Sequence, residues 1–175
     1  MKSATPAPIS HLLYLHGFRS SPQSAKARRV NDWVRTQRPD VHWWCPQLPP
    51  SPAAAIALLE QGIADWPLVA TAVIGSSLGG FYATVLAERL GLRALLLNPA
   101  VDPARDLAKH IGETAAWHSD ERFFFRAEFA GELRSRYAAC PMFWIDGGDH
   151  ALSDFDAPFP ALLDVLGLRG GATSE

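Results

Sequence analysis

The chain has 175 residues, a length that suits one domain built around one core. Its hydrophobic share of 48% is that of a globular protein and exceeds what disordered chains carry. With 16 basic against 18 acidic side chains the formal net charge is −2, so there is no broad cationic field to hold nucleic acid or anionic lipid.

Two cysteines, Cys45 and Cys140, are too few for a disulfide framework and form no C-x-x-C pair; both read as packing residues. No apolar run nears the ~20 residues a membrane span needs. The first eight residues carry one positive charge, Lys2, without the apolar core of a secretory signal. These features lead to the expectation of a soluble cytoplasmic protein with neither nucleic acid nor membrane as partner.

In chain order, the first apolar run is 12–16, a strand, followed by helical spacing over 24–37 that puts Ala27, Val30, Trp33 and Val34 on one side. A second strand is expected at 41–45. A Pro- and Ala-rich loop then enters a helix at 52–63, with Ala55, Ile56, Leu59 and Ile63 inward. A third strand, 68–74, leads to a helix over 78–90 that Gly91 stops, and a fourth strand falls at 93–98. These strands begin every ~25–30 residues, as βαβ units do. Such strict alternation predicts an α/β fold: a three-layer α/β-hydrolase-like sandwich with a central, mostly parallel sheet of about five or six strands and helices on both faces.

The next interval is nearly twice as long. The stretch 101–141 reads as a lid or excursion, and within it 122–129, with three consecutive phenylalanines among charges, reads as a lid segment or short helix rather than a strand. A fifth strand follows at 142–146, and a last helix at 158–166 ends at Gly167. Residues 1–10 and 169–175 read as tails of this single domain.

The strongest chemical signal is Gly75-Ser76-Ser77-Leu78-Gly79-Gly80, lying between an apolar strand and an amphipathic helix. This is the setting a G-x-S-x-G nucleophile elbow requires, and its frame makes Ser77, not Ser76, the nucleophile. The bland reading is a small-residue turn that packs a helix closely on a strand. Neither a dinucleotide fingerprint nor a P-loop is present.

An acyl-transfer site also needs two N–H groups aimed at the developing oxyanion. Leu78, after the serine, and Phe18, in His16-Gly17-Phe18 at the end of the first strand, are the expected donors. The base is expected in Ile145-Asp146-Gly147-Gly148-Asp149-His150, where His150 follows a strand and precedes the last helix. His11, His42, His110 and His118 read as surface or packing residues, and His16 as a support for the oxyanion loop. Phe81, Trp117 and 123–125 are candidates for an acyl pocket or simply for core. Lys26, Arg28 and Arg29 suggest an acidic ligand or, more plainly, a solvated helix face. No metal-ligand spacing emerges, and this constellation needs no metal or cofactor.

Residues 12–22, with Ser24-Ala25-Lys26-Ala27, Pro46-Gln47-Leu48-Pro49-Pro50, 74–82 and Asn98-Pro99-Ala100-Val101, resemble the YqiA-like esterases, small α/β-hydrolases of bacteria. The resemblance runs from Leu12 to about Asp106 and resumes from about Phe143 to Leu168. It implies a bacterial cytoplasmic esterase or thioesterase that forms an acyl-enzyme on Ser77.

In one respect the chain departs from that family. Members carry a further strand and acidic turn, the source of the triad acid, between the Asn-Pro-Ala segment and the histidine strand. Here Arg134 to Cys140 runs almost directly into Pro141-Met142-Phe143-Trp144, and that strand is missing. Three repairs are open. Asp102 lies near the position that supplies the acid in some other α/β-hydrolases, although it also suits a helix cap before Pro103. Asp149 is adjacent to His150. The segment 148–152 is the third, as a fused remnant of the acidic turn. The expected function is hydrolysis of a small-molecule ester or acyl thioester; the alternative is a catalytically impaired hydrolase fold acting as a binding or scaffold module.

Overall fold

The apolar runs form parallel strands joined by helices in a computed structural model that describes residues 7–100, 103, 113–115, 122–124 and 152–169. Strands β1 (His11–Leu15), β2 (His42–Trp44), β3 (Thr71–Ser76) and β4 (Arg93–Leu97) make one sheet in the order β2-β1-β3-β4, with every neighbouring pair parallel. Helix α1 (Ala25–Gln37) links β1 to β2, α2 (Pro52–Gly62) lies between β2 and β3, and α3 (Leu78–Leu90) links β3 to β4. A short α4 (Phe159–Val165) comes last among the described elements.

Strands covered on both faces lose the apolar-polar alternation of a half-exposed sheet. All of β3 is buried, as are Leu12 to Leu15 in β1. Their side chains feed two cores. Leu12, Tyr14 and Ile74 pack with Val30 and Val34 of α1 and with Phe159 and Leu163 of α4. Leu13, Leu15 and Val73 pack with Ile56 and Leu59 of α2 and with Phe81, Tyr82 and Leu86 of α3. The result is a three-layer α/β sandwich whose described sheet holds four parallel strands; the run 142–146 lies outside the described residues.

Helix ends follow local chemistry. Ser24 and Ser51 cap α1 and α2, each side chain accepting from a backbone N–H three residues on. Gly91, at φ 70°, donates back to the Ala87 carbonyl and ends α3 as its spacing predicts.

Three expectations need correction. The third strand starts at Thr71, because Leu68–Ala70 form a 3-10 turn in which the Pro67 carbonyl accepts from the Ala70 N–H and the Thr71 hydroxyl. Ile9, within the stretch read as a tail, is 1% exposed in the core, and its neighbour Ser10 donates to the Ala70 carbonyl. In the excursion, Arg122–Phe124 form a strand, β6, paired antiparallel with β5 (Glu113–Ala115) in a separate two-stranded sheet. Aromatic residues favour extended backbone, and here that preference outweighs the flanking charges from which a lid segment or short helix is expected.

Candidate active site

The order β2-β1-β3-β4 reverses direction between β1 and β3: the chain leaves β1 toward one edge of the sheet and leaves β3 toward the other. In open parallel sheets the crevice for a ligand forms at such a switch point, beyond the carboxyl ends of the two strands. His16-Gly17-Phe18 follows β1 there, and Ser77 follows β3.

Ser77 has φ 53° and ψ −119°, a conformation that costs on the order of 1–3 kcal/mol for a residue with a side chain. Its surroundings over-determine it. The Ser77 N–H donates to the Leu97 carbonyl at 3.0 Å, and its own carbonyl accepts from the Gly80 N–H and the Ala100 N–H, both at 2.9 Å. The strain is concentrated in one place. Of the four non-glycine residues with positive φ among the described residues, Arg19, Ser77 and Asn98 follow the carboxyl ends of β1, β3 and β4. The fourth, Leu152, comes two residues after His150.

The glycines of the motif are demanded by close approach. A β-carbon on Gly79 would collide with the backbone carbonyl of Leu15 and stand 2.7 Å from that of His16; one on Gly75 would collide with the Gly79 carbonyl. Helix α3 therefore starts directly against the end of β1. A β-carbon on Gly17 would stand 3.2 Å from Ser77 Cβ and 3.8 Å from Ser77 Oγ, so the loop after β1 runs alongside the serine.

Ser76 and Ser77 part company in this turn. Ser76 is 8% exposed and lies toward the buried Tyr14, whereas Ser77 is half-buried at the crevice. Burial, and then Cys45, raise the Tyr14 phenol well above its ordinary range, Ser76 opposing part of the shift; the hydroxyl makes no well-formed hydrogen bond among the described residues. With Ser77 as the expected nucleophile, Ser76→Ala should leave any hydrolysis of an ester substrate within about threefold of wild type, since Ser76 faces the core. Steady-state kinetics on a p-nitrophenyl ester checks this, and a Ser76→Ala loss as deep as that of Ser77→Ala would contradict it.

His16 is buried between two loops. It is 3% exposed, its Nε2 accepts from the Leu48 N–H at 3.1 Å, and its Nδ1 lies 3.0 Å from the Gly17 carbonyl. An Nε2 that accepts requires the proton on Nδ1, which then donates to Gly17. One neutral ring thus ties the loop after β2 to the loop beside Ser77.

Leu78 is the first residue of α3, where backbone N–H groups have no acceptor within the helix and the dipole is positive. Phe18 directly follows Gly17, and its side chain packs against the core of α2 and α3. Phe81 is 4% exposed in that core, with its ring at 5.7 Å from Tyr82, and so serves as packing rather than as an open pocket wall. Cys45, the free cysteine among the described residues, has its thiol pushed up to about 12 by burial and is poorly suited to act as a nucleophile. His150, Asp102, Asp149, Trp117, Phe125 and Cys140 lie outside the described residues, and the side chains of Phe123 and Phe124 are not described.

The sequence model of a family described as uncharacterised, UPF0227, matches residues 11–136, which takes in β1 to β4 and the serine turn. The chain belongs to this family. It is the YqiA-like group that the motifs resemble, and the match stops short of the segment containing His150. A crystal structure of a provisionally assigned hydrolase from Agrobacterium vitis S4 is also similar, at 18% identity and a TM-score of 0.48, over 68% of this chain and 60% of that one. The chain therefore spans less than two thirds of that structure's length. Two features of the UPF0227 site escape sequence reading: the clamp of the Ala100 N–H on the Ser77 carbonyl, which carries no side-chain signature, and the inward turn of Ser76. Among the described residues, no helix is long and apolar enough to cross a membrane.

Proposed function

We propose that this UPF0227 chain is a serine hydrolase of carboxylic esters or acyl thioesters. The observation that carries the reading is the backbone of Ser77, held at φ 53° by β4 and the loop after it, at the sheet's switch point, and against the loop after β1. A turn that only packs a helix on a strand has no need of a strained, half-buried serine.

In the proposed reaction Ser77 Oγ attacks the substrate carbonyl and its proton passes to His150. The carbonyl oxygen becomes an oxyanion held by the backbone N–H groups of Leu78 and Phe18. Collapse expels the alcohol or thiol, which takes the proton from His150, and leaves an acyl group on Ser77. Water then attacks the acyl-enzyme, giving its proton to His150, and the carboxylic acid departs as Ser77 is reprotonated.

Asp102 is the acid this reading favours. The Ala100 N–H is bonded to the Ser77 carbonyl, so the chain is tied to the elbow two residues before Asp102. Asp149, adjacent to His150 in the chain, is poorly placed to reach the far nitrogen of that ring. Asp102→Asn is expected to lower kcat by about 10⁴-fold with the fold retained, the size of loss that follows when a histidine base is left in the wrong tautomer. Unchanged hydrolysis by Asp102→Asn would remove Asp102 from the triad.

A panel of p-nitrophenyl esters and acyl thioesters of graded chain length tests the function as a whole. Turnover that depends on acyl length is expected. Ligand retention at Ser77 with no turnover of any panel member would instead favour a binding or scaffold module.

A further inference from the structure

At the other end of the sheet, remote from Ser77, two histidines occupy the first positions of neighbouring strands. His11 opens β1 and His42 opens β2, and the two are paired in register. Residues so paired in a parallel sheet project from the same face. Their rings lie with centroids 5.4 Å apart, and the Trp66 ring packs against both, at 4.8 Å from His11 and edge-on at 5.3 Å from His42.

Two imidazoles on one tetrahedral Zn²⁺, each with a Zn–N bond of about 2.0–2.1 Å, place their ring centres roughly 5 Å apart. The observed spacing of 5.4 Å is close to this. The orientation of one ring is also arranged. His11 Nδ1 is 2.9 Å from the Ser10 hydroxyl. With that nitrogen as donor, the lone pair lies on Nε2, and a second-sphere hydrogen bond of this kind is the usual partner of a metal-binding histidine. His42 is exposed and open to solvent.

We propose that His11 and His42 form a two-histidine site for a divalent first-row transition ion, with Zn²⁺ the best geometric match. Ser10 orients His11, and Trp66 forms the wall of the site. Among the described residues no third His, Cys, Asp or Glu joins them, so water completes the shell. A pair of ligands at the amino ends of β1 and β2 would tie the edge strand to its neighbour where β2 is only three residues long.

Calorimetric titration of the full chain with Zn²⁺ alone, at neutral pH and followed in parallel by tryptophan fluorescence, tests the site without any hydrolysis readout. One ion per chain is expected, with a fluorescence change that Trp66→Phe removes while Zn²⁺ uptake persists. His42→Ala, at an exposed position where the fold is retained and checked by circular dichroism, is expected to abolish this uptake. Ser10→Ala is expected to weaken it about 10–100-fold. Absence of uptake at millimolar Zn²⁺, or equal uptake by wild type and His42→Ala, would overturn the proposal.

Discussion

Ser77→Ala is expected to lower kcat/KM for a p-nitrophenyl ester by at least about 10⁴-fold while leaving the protein folded. Removing the nucleophile of a serine hydrolase costs about as much as removing its whole triad, because serine, base and acid act as a unit. What remains comes from the oxyanion donors, here the N–H groups proposed at Leu78 and Phe18. Folding survives because the bonds that hold position 77, to Leu97, Gly80 and Ala100, are all backbone bonds. The same geometry gives the experiment a second readout. Alanine at φ 53° remains strained, whereas glycine accepts that conformation without penalty. Ser77→Gly should therefore be inactive and more stable than Ser77→Ala by about 1 kcal/mol, measured by urea denaturation. A Ser77→Gly protein no more stable than Ser77→Ala would mean that position 77 stores no strain.

Gly79→Ala should do the opposite, damaging the fold first and activity as a consequence. Its new methyl group would collide with the Leu15 carbonyl and crowd that of His16, and backbone atoms of a central strand cannot swing aside as a flexible side chain can. Overpacking of this kind costs about 1–3 kcal/mol and sometimes more. For a chain of this size, Gly79→Ala should lower Tm by roughly 5–10 °C. Relief of the clash pushes α3 away from β1, which shifts the Leu78 and Ser77 backbone relative to Gly17. Residual Gly79→Ala enzyme, assayed below its midpoint, should accordingly show reduced kcat. Full stability in Gly79→Ala would contradict the close approach of α3 to β1.

What could be read from the sequence was local. The serine turn is legible because its requirements are met within six residues: small residues where strand and helix touch, an apolar strand before, an amphipathic helix after. Gly91 is legible for the same reason. The placing of α1 and α4 on one face and α2 and α3 on the other follows from parallel strands that need both faces covered. The 3-10 turn at Leu68–Ala70 is less visible, because apolar residues there mimic a strand and the deciding bonds go to the Pro67 carbonyl. Ile9 looks like part of a tail because its burial depends on core partners distant in sequence.

The site was legible to the same degree. Ser77, Gly17 and His16 sit in short motifs, and their juxtaposition follows once β1 and β3 are neighbours. The clamp from Ala100 depends on backbone geometry alone. His11 and His42 show nothing singly, since their pairing arises from strand register, and register is a long-range property. The proposed base and acid, His150 and Asp102, lie outside the described residues.

That the strained turn presents Ser77 as a nucleophile is checked by labelling with a fluorophosphonate probe. Folded wild-type protein should take up one probe per chain, located on Ser77 by peptide mass analysis, with Ser76 unmodified and the Ser77→Ala variant unlabelled. Folded protein that takes up no probe, or takes it up equally after Ser77→Ala, would contradict it.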